Sequence, residues 1–307
     1  MSGHGDPPTG TVTHLVSFDI EGFVEASHDS FRVPEKYVSA LAERDEIQVN
    51  TEVILDILEE CQVTATFFML GRLGRDMPEL VQRVASRGHE IAAHSYIHRR
   101  LYHFDRAGAL EQLRLAKDNL EQASGRRIVG FRAPDFSIVR DNLYVLDDLR
   151  ELGYEYDSSV FPLSFHDVYG ISSFPRHPFV LPNGLIEFPM STVTVGRVAL
   201  PYGGGGYLRL YPNALTKALV RYRARQGLPT IVYLHPVEMG KVVPYIREIS
   251  VARRFRTYVG MQKARHKLRD LLQSFRFVSF ATFLANRPAL PRVTAIGAST
   301  DDDGTRA

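Results

Sequence analysis

Five side chains able to carry chemistry stand at one kind of place. Asp19, His94, Arg132, Asp157 and His235 each sit at, or just past, the C-terminal end of a stretch that reads as a strand. Those stretches are 13–19, 89–93, 128–131, 154–156 and 230–234, and 63–70 reads as a further buried strand. Helical patterns lie between them. Val53, Ile54, Ile57 and Leu58 mark one face of a helix over 50–60, and Asp76 is expected to cap a helix with Pro78 in its first turn and Gly88 behind its end. Further helices are expected over 107–122, 141–152 (closed by Gly153) and 212–226. Strands alternating with helices argue an α/β fold. In (β/α) barrels the C-terminal strand ends carry the chemistry, because the strands fix side chains while the loops vary.

The remaining stretches are organised around this frame. From 161 to 211 Pro, Gly and β-branched residues dominate, and 203–206 is a run of four glycines. It lacks the GK[ST] ending of a phosphate loop, so it reads as a flexible rim to a cleft, within loops and a β-hairpin inserted on the barrel. The stretch 241–276 is basic and mostly helical, with Leu268, Leu271, Leu272 and Phe275 as its apolar seam; 277–280 reads as a last strand. The basic stretch reads first as the solvated face of a packed helix and second as a peripheral contact with an anionic membrane. One domain over 13–290 is expected, between a disordered N-terminus (1–12) and a disordered tail (291–307).

Charge and composition exclude several classes. A net charge of +2 over 307 residues gives no field for nucleic acid. Cys61 is the single cysteine, which rules out an intrachain disulfide and a cysteine zinc cage. No apolar run approaches the roughly 20 residues of a membrane span, and 1–10 does not read as a signal peptide, so a cytoplasmic location is expected.

The local motifs point to metal-assisted hydrolysis. In His94-Ser95-Tyr96-Ile97-His98 two imidazoles four residues apart would share one face of a helical turn and could grip one cation. In Ser17-Phe18-Asp19-Ile20-Glu21 two carboxylates two apart point to the same side of an extended chain. A carboxylate joining two histidines makes a facial triad with open positions for water and substrate. Arg132, before Ala133-Pro134, could orient a carboxylate. His235, ending the strand before Pro236, titrates near neutrality and could protonate a leaving amine. Taken singly, each motif also has a plain structural reading.

In this order, SFDIE, HSYIH, FRAP, DSS and LHP resemble the polysaccharide deacetylases of carbohydrate esterase family 4, over about residues 13–285. The stretches ATFF, GHEIA, RAPDFS and GGGYLR look like the exopolysaccharide-locus deacetylases, which lack a secretion signal. The resemblance implies an irregular (β/α)7-type barrel. It implies Asp19 as general base, Glu21, His94 and His98 as ligands of a divalent metal (usually Zn2+, with Co2+ or Ni2+ accepted), and Arg132 as the partner orienting Asp19. It implies His235 as general acid, with Asp157 anchoring that histidine or its supporting network. Pro134, Phe136, Tyr207 and Arg209 are the expected substrate-binding residues; with no tryptophan in the chain, sugar stacking falls to Tyr or Phe. Many family members carry adjacent aspartates in the first motif, whereas here Ile20 holds the second place and the ligand must come from Glu21.

The expected activity is removal of N-acetyl groups from amino sugars of a poly- or oligosaccharide or a lipid-linked sugar. The alternatives are hydrolysis of another non-peptide amide (a formamide or ureide) and a carbohydrate-binding homologue without catalysis. By analogy with relatives lacking a signal peptide, a homo-oligomer is expected.

Overall fold

Alternation within the first strand sets the architecture. In 15–21 the odd positions are Leu15, Ser17, Asp19 and Glu21, and the even ones are Val16, Phe18 and Ile20. Every residue of this strand is buried, so it needs cover on both faces. The computed structural model describes residues 12–27, 33–163, 170–171, 173–196, 198–286 and 289–294. The expected N-terminal and C-terminal tails lie outside these residues except for 12 and 291–294. Pro291 and Val293, expected in the tail, instead exchange backbone hydrogen bonds with Val180 (2.8 and 3.0 Å).

In chain order the elements are β1 (His14–Ile20), α1 (Phe23–Ser27), α2 (Ala40–Glu60), β2 (Thr66–Met69), α3 (Gly71–Asp76), α4 (Pro78–Ser86), β3 (Glu90–Ala93) and α5 (Arg106–Ser124). There follow β4 (Gly130–Phe131), α6 (Val145–Glu151), β5 (Tyr156–Asp157), β6 (Phe179–Val180), β7 (Ile186–Glu187), β8 (Thr192–Val195) and β9 (Val198–Pro201). The last are α7 (Gly205–Leu210), α8 (Asn213–Arg225), β10 (Ile231–Leu234), α9 (Pro236–Met239), α10 (Val251–Tyr258), α11 (Met261–Ser274), β11 (Phe277–Val278) and α12 (Phe280–Ala285).

The main sheet runs β10-β1-β2-β3-β4-β5-β7-β6, parallel except for β6 against β7. One edge of β1 carries β10; the other carries β11 at its start and β2 further on. Among the described residues β10 and β6 do not pair, so the irregular barrel is an open, curled sheet. Its outer side packs Val16, Phe18, Phe67 and Phe131 against the helices. Its inner side is lined by Leu15, Phe68, Tyr156, Phe188 and Tyr233. Phe280 plugs the end opposite the site, stacked on Tyr156 (5.3 Å) and edge-on to Phe68 and Phe188.

Several boundaries depart from expectation for identifiable reasons. α2 starts ten residues early, at the Ser39 cap, because its first turns are exposed and carry no apolar periodicity. Asp76 does not cap α4; it ends α3 and pairs with Arg75. Gly71 and Gly74 hid α3 in the sequence. They permit its contact with α5: a Cβ at Gly71 would lie 2.4 Å from Ala116 Cα, and one at Gly74 2.5 Å from the Asn119 carbonyl oxygen. Within the middle stretch only β8–β9 is a separate hairpin, whereas β6 and β7 extend the main sheet.

Two buried histidines accept backbone hydrogen bonds: His14 Nδ1 from Thr230 N (3.0 Å) and His89 Nδ1 from Ala65 N (3.3 Å). Burial lowers the pKa of each to about 4. The unfolded chain, titrating near 6.5, then takes up protons that the native state refuses. Their stabilising effect is full above pH 6.5 and is lost as pH falls through about 4. A urea midpoint that drops between pH 6.5 and 4, with both imidazoles neutral by NMR at pH 5.5, is the expected result. Native-state titration near 6.5 would contradict it.

Candidate functional site

At the C-terminal end of β1 the inward positions are Asp19 and Glu21, while Ile20 points into the helix layer and is fully buried there. Strand geometry therefore explains why a carboxylate at 21, and not at 20, faces the same cavity as Asp19. Glu21 Oε2 stands 3.2 Å from His94 Nε2 and 2.9 Å from His98 Nε2; all three residues are buried and their donor atoms lie within 4.8 Å of one another.

The two histidines converge without the expected helical turn. Residues 94–98 form a bent loop in which Ser95 takes a left-handed φ of 64°. The loop is pinned from outside: the Ser95 and Tyr96 carbonyls accept from Gly71 N (2.8 Å) and Arg72 N (3.0 Å) at the start of α3, and His98 N donates to Glu25 Oε1 (3.1 Å). Glu25 is held in turn by an ion pair with Arg72.

The donor set fits a divalent cation. His94 Nδ1 lies 2.8 Å from the Arg132 carbonyl, the geometry of an N–H donor, which leaves the Nε2 lone pair facing Glu21. Glu21 Oε2 is buried and makes no hydrogen bond among the described residues. Burial alone would raise the Glu21 carboxyl, but the imidazoles of His98, His94 and His235 outweigh it and hold it well below the ordinary carboxylate range. Burial likewise opposes charge on His98, yet the Glu21 carboxylate lifts its pKa to about 9. The field that draws a proton onto His98 would equally draw a cation.

Asp19 and Arg132 form a buried pair, Nη1 to Oδ1 at 2.6 Å. Three more guanidinium N–H groups donate: Nε to the Ser158 carbonyl (3.1 Å), Nη1 to Ser17 Oγ (2.9 Å) and Nη2 to Ser158 Oγ (3.1 Å). The guanidinium carbon lies 4.0 Å from the centre of the Phe68 ring. The turn after Arg132 carries two successive left-handed residues, Asp135 (φ 50°) and Phe136 (φ 52°). For Phe that conformation is a true outlier, of the kind that collects at functional sites.

His235 approaches from β10. Its Nε2 is 3.6 Å from Glu21 Oε1, and its side chain keeps 31% exposure where that of Glu21 keeps 4%, so it stands on the solvent side of the site. Nδ1 meets Glu238 Oε2 at 3.1 Å, and the same oxygen accepts from His235 N (3.0 Å) in a capping arrangement at α9. Burial would lower the His235 pKa, but Glu238, with the charges of Glu21 and Asp19, lifts it to about 9. Glu238 is anchored by Arg209 (Nε to Oε1, 2.8 Å).

The structure redistributes three expected roles. Asp157 is not the group behind His235. Its carboxylate binds Ser159 Oγ (2.6 Å) and Ser159 N (3.1 Å) and faces Glu187, its register neighbour on β7; burial pushes both carboxyl groups up. Ser159 Oγ in turn accepts from Ala133 N (2.7 Å), so this cluster braces the Arg132 turn. Arg209 is buried and donates to Glu238 and to the Thr257 and Val259 carbonyls, so it supports His235 from behind through Glu238. The glycine run is packed tightly: a Cβ at Gly203 would meet the Ile231 carbonyl oxygen at 2.1 Å, and one at Gly205 the Glu238 carboxylate at 1.8 Å. Pro134 is buried, and Phe136 is edge-on to Phe161 (5.2 Å) and Tyr233 (5.0 Å) in the inner core. Tyr207 is half-buried beside Tyr211. The residue missed from sequence is Glu238; its signal was a glutamate three positions after a histidine that precedes a helix-opening proline.

Comparison with known proteins gives two adjacent family matches. Residues 34–156 match the family described as polysaccharide deacetylase, and residues 158–285 match a domain of unknown function (DUF3473). Over 105 residues the chain is 29% identical to the peptidoglycan-N-acetylmuramic acid deacetylase PdaA of Bacillus subtilis, covering 34% of this chain and 39% of that protein. Over 50 residues it is 44% identical to a chitooligosaccharide deacetylase of Sinorhizobium fredii, covering 16% of this chain and 23% of that protein. The chain therefore spans less than half the length of these curated relatives. A solved Mycobacterium smegmatis structure, assigned as a polysaccharide deacetylase, superimposes with a TM-score of 0.60 at 21% identity, over 95% of this chain and 97% of that one. That likeness establishes a shared fold, and residues 34–156 are similar to the polysaccharide deacetylase family.

Proposed function

We propose that the chain is a polysaccharide deacetylase, as the family match over residues 34–156 suggests, and works as a metal-dependent hydrolase that removes N-acetyl groups from amino sugars of a poly- or oligosaccharide. One observation carries this reading. A buried carboxylate oxygen without a hydrogen bond, Glu21 Oε2, faces two imidazole nitrogens, and Asp19 stands two residues away on the same side of the strand. The curated relatives, a muramic acid and a chitooligosaccharide deacetylase, supply the substrate class. The finer placement among exopolysaccharide-locus deacetylases rests on the RAPDFS and GGGYLR stretches, and zinc is the metal that the two-histidine, one-carboxylate set favours.

Glu21, His94 and His98 would hold the cation, which when bound supplies Lewis acidity to the acyl carbonyl and to water. The chain's own groups handle the protons. Asp19, oriented by Arg132, accepts a proton from the attacking water as the new carbon–oxygen bond forms. His235, its Nδ1 fixed by Glu238, carries a proton on Nε2 and delivers it to the amine nitrogen as the carbon–nitrogen bond breaks. The products are a carboxylate and a free amino sugar, with no covalent intermediate.

The test is elemental analysis of the purified protein before and after chelation, with amine release from N-acetylglucosamine oligomers measured in parallel. About one divalent ion per chain is expected, with release lost on chelation and restored by zinc. A protein that neither contains nor takes up zinc, cobalt or nickel would sink the site.

A further inference from the structure

α10 is a helix whose outer face has no partner among the described residues. Val251 (72% exposed) and Phe255 (57%) are four apart and share that face, with Ala252 and Arg256 beside them. The stretch 35–41, tied to the loop just before α10 through Tyr37 Oη–Glu248 (3.1 Å) and a Lys36–Glu248 ion pair, also exposes Val38 (55%) and Leu41 (76%). Large apolar side chains gathered at one surface mark a contact site, whereas scattered ones need no explanation. The electrostatics select the partner. Residues 241–258 hold five basic side chains against the single acid Glu248, and Lys241, Arg247 and Arg256 are exposed and in no ion pair among the described residues.

A second copy would bring this cationic surface against itself, since a two-fold contact repeats the same patch on both sides, and like charges juxtaposed are costly. Apolar side chains interleaved with arginines are instead what an interfacial helix presents to an anionic bilayer. The inner side of α10 is built into the site's walls. Tyr258 stacks on Phe23, two residues beyond Glu21, and the Thr257 carbonyl binds Arg209 behind Glu238 and His235.

We propose that the outer face of α10, with Lys241, Arg247 and Arg256, is a docking surface for anionic lipid bilayers that seats the molecule with its site next to the membrane. Docking is independent of the hydrolytic reading, so its test reads binding alone. The full chain is co-sedimented with phosphatidylcholine vesicles with and without phosphatidylglycerol, at low and high salt. Binding to the anionic vesicles only, weakened by salt, is expected. The triple variant K241Q/R247Q/R256Q should bind about a hundredfold more weakly, at about fivefold per charge neutralised near the surface. V251S/F255S should bind at least about tenfold more weakly, with unchanged circular dichroism. Folded wild-type protein that ignores anionic vesicles, or binding that neither variant weakens, would overturn the proposal. So would a dimer in sedimentation velocity that V251S/F255S dissociates while vesicles are ignored, which would assign the face to a second copy.

Discussion

Asp19→Asn is expected to lower amine release by roughly 10²–10⁴-fold, mostly in kcat, while the metal content stays at the wild-type level. Asparagine keeps the shape and an oxygen for Arg132 Nη1, now 2.6 Å from Asp19 Oδ1. What it removes is the ability to take a proton. Substrate binding and the Glu21, His94 and His98 donors are untouched by the change, so a fall in kcat without loss of the ion isolates the proton-accepting role. Activity within tenfold of wild type would move the base elsewhere.

Arg132→Met should destabilise the fold by about 3–5 kcal/mol, because it leaves the buried Asp19 carboxylate without its cation. The loss reaches further than one ion pair. The guanidinium also links Ser17 on β1 to Ser158 beyond β5, and so spans the interior between distant strands of the sheet. The double variant Asp19→Asn/Arg132→Met should be more stable than Arg132→Met alone, since a neutral pair no longer strands a charge. Urea unfolding of the three variants checks this. Equal destabilisation of the single and double variants would show that Arg132 acts through packing on Phe68 and its serine contacts, and not through the charge it shares with Asp19.

Where the geometry is local, it was legible in the sequence. The two-residue periodicity of 15–21 predicts that Asp19 and Glu21 face one cavity, and the strand-end positions of His94, Arg132 and His235 bring them there. The HSYIH pair met for a different reason than its spacing suggested: a left-handed Ser95 and backbone bonds to α3 do the work assigned to a helical turn. Asp157 was misread because its partner, Glu187, is a neighbour only through the register of β5 with β7, which no local pattern encodes. Arg209 reads from sequence as a substrate-binding residue because glycine-rich surroundings suggest a loose rim. In the fold those glycines let the chain pass within van der Waals reach of Ile231, Tyr233 and Glu238, and the arginine is drawn inside.

The double flanking of β1 also bears on how the protein comes into being. The strand bearing Asp19, with Glu21 just past its end, is made before its partners: one edge waits for residues 231–234 and part of the other for 277–278. Until then its two acids and its apolar residues lie on a half-finished sheet whose N-terminal end lacks the Phe280 plug. Contacts of such sequence separation slow folding and lengthen the time that sticky strand edges are exposed on a growing chain. The site's carboxylates therefore reach their final environment only once residues as far on as 278 have left the ribosome.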